Sequence, residues 1–290
     1  MSVFIKFSVF LIFLKILLVC ADESNFTFLI TGGYRPTEHT LAKHIVSLQW
    51  SKSNGYFGDT HFCGGSILTP TLILTAAHCL WNPNKDKKIG INKVQIVART
   101  PNRLVKTKHT AIIGVERIRL HREYNNMNRQ NDIAIVVLKD EIVEDDVFAQ
   151  RIGIADGPPM EGMNCTVVGW GRIFDGGPSA ADALYVTLKI FNTQECRNSY
   201  DFVLEGMLCV GDVTDPEKDV CQGDSGGPLI CNDKVYGIVS FGSGCATTLP
   251  SFCVDVWHYR DWIATSDGRM NNNINNVLFL LSLLVWCINK

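Results

Sequence analysis

The sequence predicts an all-β protein built as barrels or sandwiches, and two observations carry that expectation. Short runs rich in Val, Ile, Leu and Thr recur along most of the chain, each bounded by turn-forming residues. Segments with helical periodicity are scarce. The runs fall into two series. The first comprises residues 45–49, 66–68, 72–75, 94–98, 112–120 and 133–138; the second comprises 165–169, 183–191, 207–210, 229–230, 235–241 and 252–256. Residues 139–160 between them are first charged and then Gly-Pro-Pro, which reads as a linker. Residues 257–265 are the best helix candidate: Trp257, Trp262 and Ile263 recur at offsets compatible with one face, which predicts packing against a barrel.

A chain of 290 residues, 46% hydrophobic and 19% charged, can bury an ordinary core in one double-lobed domain or two small ones. Its formal net charge of −2 gives no electrostatic reason to expect nucleic acid, and the short basic runs at 85–88 and 106–109 read as solvated loops. Residues 1–21 combine an apolar run with the small-residue ending Val19-Cys20-Ala21, the pattern of a signal peptide. Lys6 and Lys15 interrupt that run too often for a membrane span. At the other end, Ser266-Asp267-Gly268, a polar spacer over 269–276 and an apolar tail over 277–288 follow the grammar of a glycosylphosphatidylinositol signal. An export signal makes the mature chain extracellular, either free or lipid-anchored to a membrane.

The chemistry is concentrated in three motifs. Cys221-Gln222-Gly223-Asp224-Ser225-Gly226-Gly227-Pro228 exposes one serine between flexible glycines, as a nucleophile requires. A serine hydroxyl is weak until a base takes its proton, and Thr75-Ala76-Ala77-His78-Cys79 supplies a histidine. Asn131-Asp132-Ile133-Ala134 supplies an acid to orient that histidine. Taken singly, each of these residues is more often a turn or core polar group than a catalyst. Together they stand in the order His78, Asp132, Ser225, and two of them lie within four positions of a cysteine. There are eleven cysteines; Cys20 and Cys287 fall in the leader and tail, leaving nine in the body. No Cys-x-x-Cys spacing occurs, so nothing points to a metal, and nothing calls for a cofactor.

In motifs and order the chain resembles the trypsin-like serine proteases over about residues 30–266. That resemblance implies two six-stranded antiparallel β-barrels, about 30–145 and 160–256, with a C-terminal helix and a cleft between the barrels. It implies His78 as general base, Asp132 as its orienting acid, Ser225 as nucleophile, and the backbone N–H groups of Gly223 and Ser225 as the oxyanion hole. It pairs Cys63 with Cys79, Cys165 with Cys231, Cys196 with Cys209 and Cys221 with Cys245, leaving Cys253 over. Protein or peptide substrates, protein inhibitors and an activating protease are the partners it implies.

Two further expectations rest on the same resemblance. Cleavage before Ile30-Thr31-Gly32-Gly33 would remove a propeptide, residues 22–29, and free an amine to pair with Asp224. Leu29 precedes that cut, so an activator of tryptic specificity is not expected to make it. The substrate pocket would be formed by Asp219, Ser240, Gly242 and Ser251. Asp219 at its base favours arginine and lysine; Ser251, where trypsins carry glycine, would narrow it and could hydrogen-bond Asp219, and Cys253 would leave space beside it. A chymotrypsin- or elastase-like preference, or a catalytically silent homologue of the same fold, is the alternative. Asn25 and Asn164 begin glycosylation sequons, and the basic stretch 99–113 lacks an acidic pair for calcium.

Overall fold

A computed structural model describes residues 32–53, 55–200, 203–212 and 214–266. The expected leader, propeptide, Ile30, the Asn25 sequon and the C-terminal tail lie outside the described residues. In chain order the strands are β1 (Ile45–Trp50), β2 (His61–Thr69), β3 (Leu72–Thr75), β4 (Trp81–Asn82), β5 (Lys87–Lys88), β6 (Val94–Ala98), β7 (Ala111–Leu120) and β8 (Ala134–Leu138). They continue as β9 (Gly153–Ile154), β10 (Asn164–Gly169), β11 (Leu184–Ile190), β12 (Met207–Gly211), β13 (Pro228–Cys231), β14 (Lys234–Phe241) and β15 (Ser251–Asp255). Two short α-helices, α1 (Thr193–Ser199) and α2 (Arg260–Ala264), and four single 3-10 turns complete the described elements.

Strands β1, β2, β3, β8, β7 and β6 close in that order into the first antiparallel barrel. Strands β13, β10, β11, β12, β15 and β14 form the second, closed by the pairing of β13 with β14. Closure removes the free edges that an open sheet would expose. The sequence shows how each wall is made. In β11, Thr187 and Lys189 point outward between buried neighbours, the period of two expected for a one-sided strand. In β3 all four residues are buried, because one face fills the barrel and the other meets the rest of the protein. The first barrel's core is continuous with Val168, Trp170, Ile238 and Val256 of the second, so the barrels share an apolar seam. A second cluster, including Val167, Leu188, Val210 and Leu229, fills the second barrel.

Four disulfides join the expected partners: Cys63 to Cys79, Cys165 to Cys231, Cys196 to Cys209, and Cys221 to Cys245. Cys253 is free and fully buried, and burial pushes its thiol pKa upward.

The linker differs from expectation: within 139–160, β9 adds to β14 in parallel, with Gly153 opposite Lys234 and Ile154 opposite Val235. Periodicity could not reveal so short a strand, because its register comes from the partner. The C-terminal helix is also shorter than 257–265. Its preceding turn and first residues straddle the seam: Trp257 packs on the second core, while Tyr259 and Ile263 belong to the first. Arg103 adds a polar clasp between the barrels. Its buried guanidinium donates to the carbonyls of Ala180 (2.7 Å), Gly58 (2.5 Å) and Ser179 (3.1 Å). Arg99, in the same basic stretch, donates to the Asp145 carboxylate at 2.7 Å and to the His109 carbonyl at 3.0 Å.

Candidate active site

The three motifs converge where the barrels meet. His78 opens a single 3-10 turn after β3 and is tethered by the disulfide at Cys79 to β2. Asp132 lies just before β8. Ser225 lies on the loop before β13, whose base is held by the Cys221–Cys245 bridge. That loop docks on the first barrel through backbone: the Gly64 N–H donates to the Ser225 carbonyl at 2.8 Å. Two glycines make the approach feasible. Gly226 has φ +78°, and a Cβ there would lie 2.2 Å from Thr75 Oγ1 and 2.6 Å from the Gly64 carbonyl. Gly223 has φ +106°, a conformation that side chains disfavour.

Asp132 holds His78 at two points. Its Oδ1 accepts from the His78 backbone N–H, and its Oδ2 accepts from the ring Nδ1, both at 2.7 Å. A carboxylate can only accept here, so Nδ1 carries the proton and Nε2 is the ring's acceptor nitrogen. Ser240 Oγ donates to the same Oδ2 at 2.5 Å. Burial pushes the Asp132 carboxyl up, but the charge of His78 and the hydrogen bonds from His78 and Ser240 outweigh burial and hold it below the ordinary carboxylate range. His78, Ser225, Ser240 and Gly242 line one cavity of about 200 Å³ with Val220, Phe241 and Arg129 among its other walls. Ser225 and His78 share that cavity without a direct hydrogen bond between their side chains; in ligand-free sites such bonds commonly tighten only around substrate.

The remaining pocket residues sit deeper. Asp219 is 4% exposed and borders a different cavity, of about 200 Å³, beside Lys218, Thr247 and Pro250. Its carboxylate accepts from the N–H groups of Val220 (2.8 Å) and Ala246 (3.0 Å) and from Ser251 Oγ (2.7 Å). Burial raises its pKa despite those three donors. Ser251 lies hard against the opposite wall, since a Cβ on Gly242 would come within 2.5 Å of Ser251 Oγ. The hydroxyl therefore touches both the Asp219 carboxylate and the Gly242 wall of the cleft, where glycine would leave a gap.

Asp224 is fully buried and accepts from the N–H groups of Gly171 (2.8 Å) and Cys221 (3.0 Å). Burial raises its pKa to about 6, and no cation among the described residues pairs with it. Asn164, in the remaining sequon, is exposed on β10.

His61 is a site residue that the sequence did not bring forward. Its Nε2 lies 3.0 Å from the Gly223 carbonyl and its Nδ1 2.8 Å from Ser47 Oγ. The carbonyl accepts from Nε2–H, so Nδ1 accepts from the serine hydroxyl. This fixes the orientation of the Gly223 peptide. Desolvation by burial, aided by the charge of Arg103, lowers the His61 pKa to about 3, so the ring stays neutral. Its only sequence signal is its place two residues before Cys63 in His61-Phe62-Cys63-Gly64-Gly65. Among the described residues, Cys63, His78 and Cys79 bring possible metal-ligating atoms together, but both sulfurs are joined in a disulfide and neither is a thiolate.

Comparison with known proteins agrees with this architecture. The Trypsin family model matches residues 30–263. "Trypsin eta" of Drosophila melanogaster is 34% identical over 239 residues, covering 81% of this chain and 87% of that protein. "Trypsin epsilon" of Drosophila erecta is 38% identical over 243 residues, covering 81% and 86%. "Serine protease 1" of Homo sapiens is 31% identical over 237 residues, covering 81% and 87%. With both closed barrels, four disulfides and a match along nearly the whole described chain, the protein belongs to the trypsin family of serine endopeptidases.

Proposed function

We propose that the protein is a secreted endopeptidase that works through an acyl-enzyme, with His78, Asp132 and Ser225 as its catalytic residues. The observation that carries this reading is the two-point grip of Asp132 on His78, which leaves Nε2 as the acceptor in a cavity shared with Ser225. Ser225 Oγ attacks the substrate carbonyl carbon while His78 Nε2 takes the hydroxyl proton. As the C–N bond breaks, His78 returns that proton to the departing amine. Water, deprotonated by the same nitrogen, then attacks the ester and frees Ser225. The charge that develops on the substrate oxygen is met by the N–H groups of Gly223 and Ser225, and no described residue accepts a hydrogen bond from either. His61 supports this arrangement by holding the Gly223 peptide. Labelling with a fluorophosphonate tests the reading: the adduct should form on Ser225, and a Ser225→Ala protein that still hydrolyses peptides at the wild-type rate would refute it.

We place the leader at residues 1–21, the propeptide at 22–29, the protease domain at 30–266 and a lipid-anchor signal at 267–290. Four disulfides suit an oxidising compartment. Activation by cleavage before Ile30 is supported by Asp224, a buried carboxylate whose described partners are two N–H groups. Gly32 packs on the Glu217–Lys218 backbone, so the chain enters beside the segment that leads to Asp224. Phospholipase C specific for phosphatidylinositol should release the protein from cells; an intact tail on the mature secreted chain would remove the anchor.

For specificity we propose arginine and lysine before the cut, drawn by the buried charge of Asp219. A second reading, a preference for uncharged side chains, is favoured by one observation: Ser251 Oγ already donates to Asp219 Oδ1, the oxygen an arginine would pair with.

A further inference from the structure

The charge of the chain is small overall but very unevenly divided. From β1 to β8, residues 45–138, there are thirteen Lys and Arg against five Asp and Glu; from β10 to β15, residues 164–255, there are five against twelve. The first barrel is thus net cationic and the second net anionic. On the cationic side, Arg129 lines the same cavity as His78 and Ser225.

The guanidinium is held there. Its Nη1 donates to the Tyr124 hydroxyl at 2.9 Å, and the Tyr124 ring packs edge-on against Trp81 with centroids 5.9 Å apart. Trp81 begins the β4–β5 hairpin, three residues after His78. The hairpin and the loop carrying Arg129 therefore form one unit attached to the catalytic histidine. The backbone of Arg129 has φ +59°, which costs energy for a non-glycine residue and shows that the surrounding structure imposes this placement.

No described carboxylate neutralises the cation. Tyr124 cannot, because burial, reinforced by the negative Asp132, pushes its pKa up to about 12 and keeps it a neutral phenol. Asp132 is buried and occupied by His78 and Ser240. On the adjoining hairpin Lys85, Lys87 and Lys88 are exposed against one acid, Asp86, so the hairpin is net positive. A part-buried cation with one neutral partner, facing the place where a peptide must lie, will select an anion from that peptide.

Resting on the proposed peptidase function, we propose that Arg129 is a specificity-determining residue that selects substrates with an aspartate or glutamate close to the scissile bond. The buried pocket and Arg129 then read two different substrate residues. The first takes the side chain before the cut, and the second takes an acidic neighbour.

The test uses enzyme with Ile30 as its free amino terminus and peptides that differ only in carrying Asp, Asn or Lys at each position flanking the cut. At one position Asp should exceed Asn by about tenfold in kcat/KM. Arg129→Gln should abolish that difference, Arg129→Glu should invert it in favour of Lys, and added salt should reduce it. Equal turnover of Asp and Asn peptides at every position, or an acidic preference that survives Arg129→Gln, would overturn the proposal. Binding of the same peptides to Ser225→Ala protein, read by fluorescence anisotropy, gives a second measure. If no peptide is hydrolysed the peptidase reading fails, and the anisotropy ratio of Asp to Asn peptides, in wild-type and Arg129→Gln backgrounds, decides the role of Arg129 alone.

Discussion

Under the proposed specificity, Ser251→Gly should raise turnover of arginyl substrates. In the folded protein Ser251 Oγ donates to Asp219 at 2.7 Å and lies against the Gly242 backbone. An arginine side chain that pairs with Asp219 Oδ1 must displace that hydroxyl. A hydrogen bond to a buried charge contributes about 1.5–3 kcal/mol, so its removal should raise kcat/KM on arginyl substrates by about 10- to 150-fold. Phenylalanyl and alanyl substrates gain no such partner and should change little. The gain also depends on pH. Burial already raises the Asp219 pKa, and loss of the serine donor raises it further, so the advantage should shrink as acid protonates the carboxyl. Steady-state kinetics on matched arginyl, lysyl, phenylalanyl and alanyl anilides read the ratios directly. An unchanged Arg-to-Phe ratio in a folded Ser251→Gly protein would refute the idea that the hydroxyl guards Asp219.

Three more outcomes follow from the geometry. Asp132→Asn should lower kcat about 10⁴-fold, the scale known for this arrangement, because the amide no longer fixes the proton on Nδ1; a loss under tenfold in turnover assays would contradict it. Burial disfavours protonation of His61 in the fold, lowering its pKa from an ordinary 6.5 to about 3, so its contribution is intact above pH 6.5 and is lost progressively as pH falls toward 3. The stability gap between wild type and His61→Gln, measured by denaturant titration, should therefore narrow from pH 7 to pH 4, and a constant gap would count against a buried neutral ring. Arg103→Met leaves three carbonyls without their donor and should cost about 2–4 kcal/mol of unfolding free energy, whereas a change below about 0.5 kcal/mol would show that the clasp does not join the barrels.

The parts of the fold legible in the sequence are those with local signals. Strands β3 and β6 are readable to the residue, because each is a short run dominated by Leu, Ile and Val. The site motifs were equally visible, since glycines and cysteines crowd around Ser225 and His78. What escaped depends on partners distant in sequence. Gly153 and Ile154 form a strand only because β14 offers an edge, and α1 carries no strong apolar period. His61 matters through a carbonyl 162 residues away, and Arg129 through a cavity built from both barrels. Composition averaged over the whole chain also hid the opposite charges of the two barrels.

The most direct test of the central claim is to map fluorophosphonate labelling by mass spectrometry on protein cut before Ile30, in parallel with peptide hydrolysis by the same preparation. A single adduct is expected on Ser225, formed with loss of fluoride and abolishing hydrolysis in proportion to labelling, with turnover about a millionfold lower in Ser225→Ala. An unlabelled Ser225 in a preparation that hydrolyses peptides, or full activity after complete labelling, would contradict it.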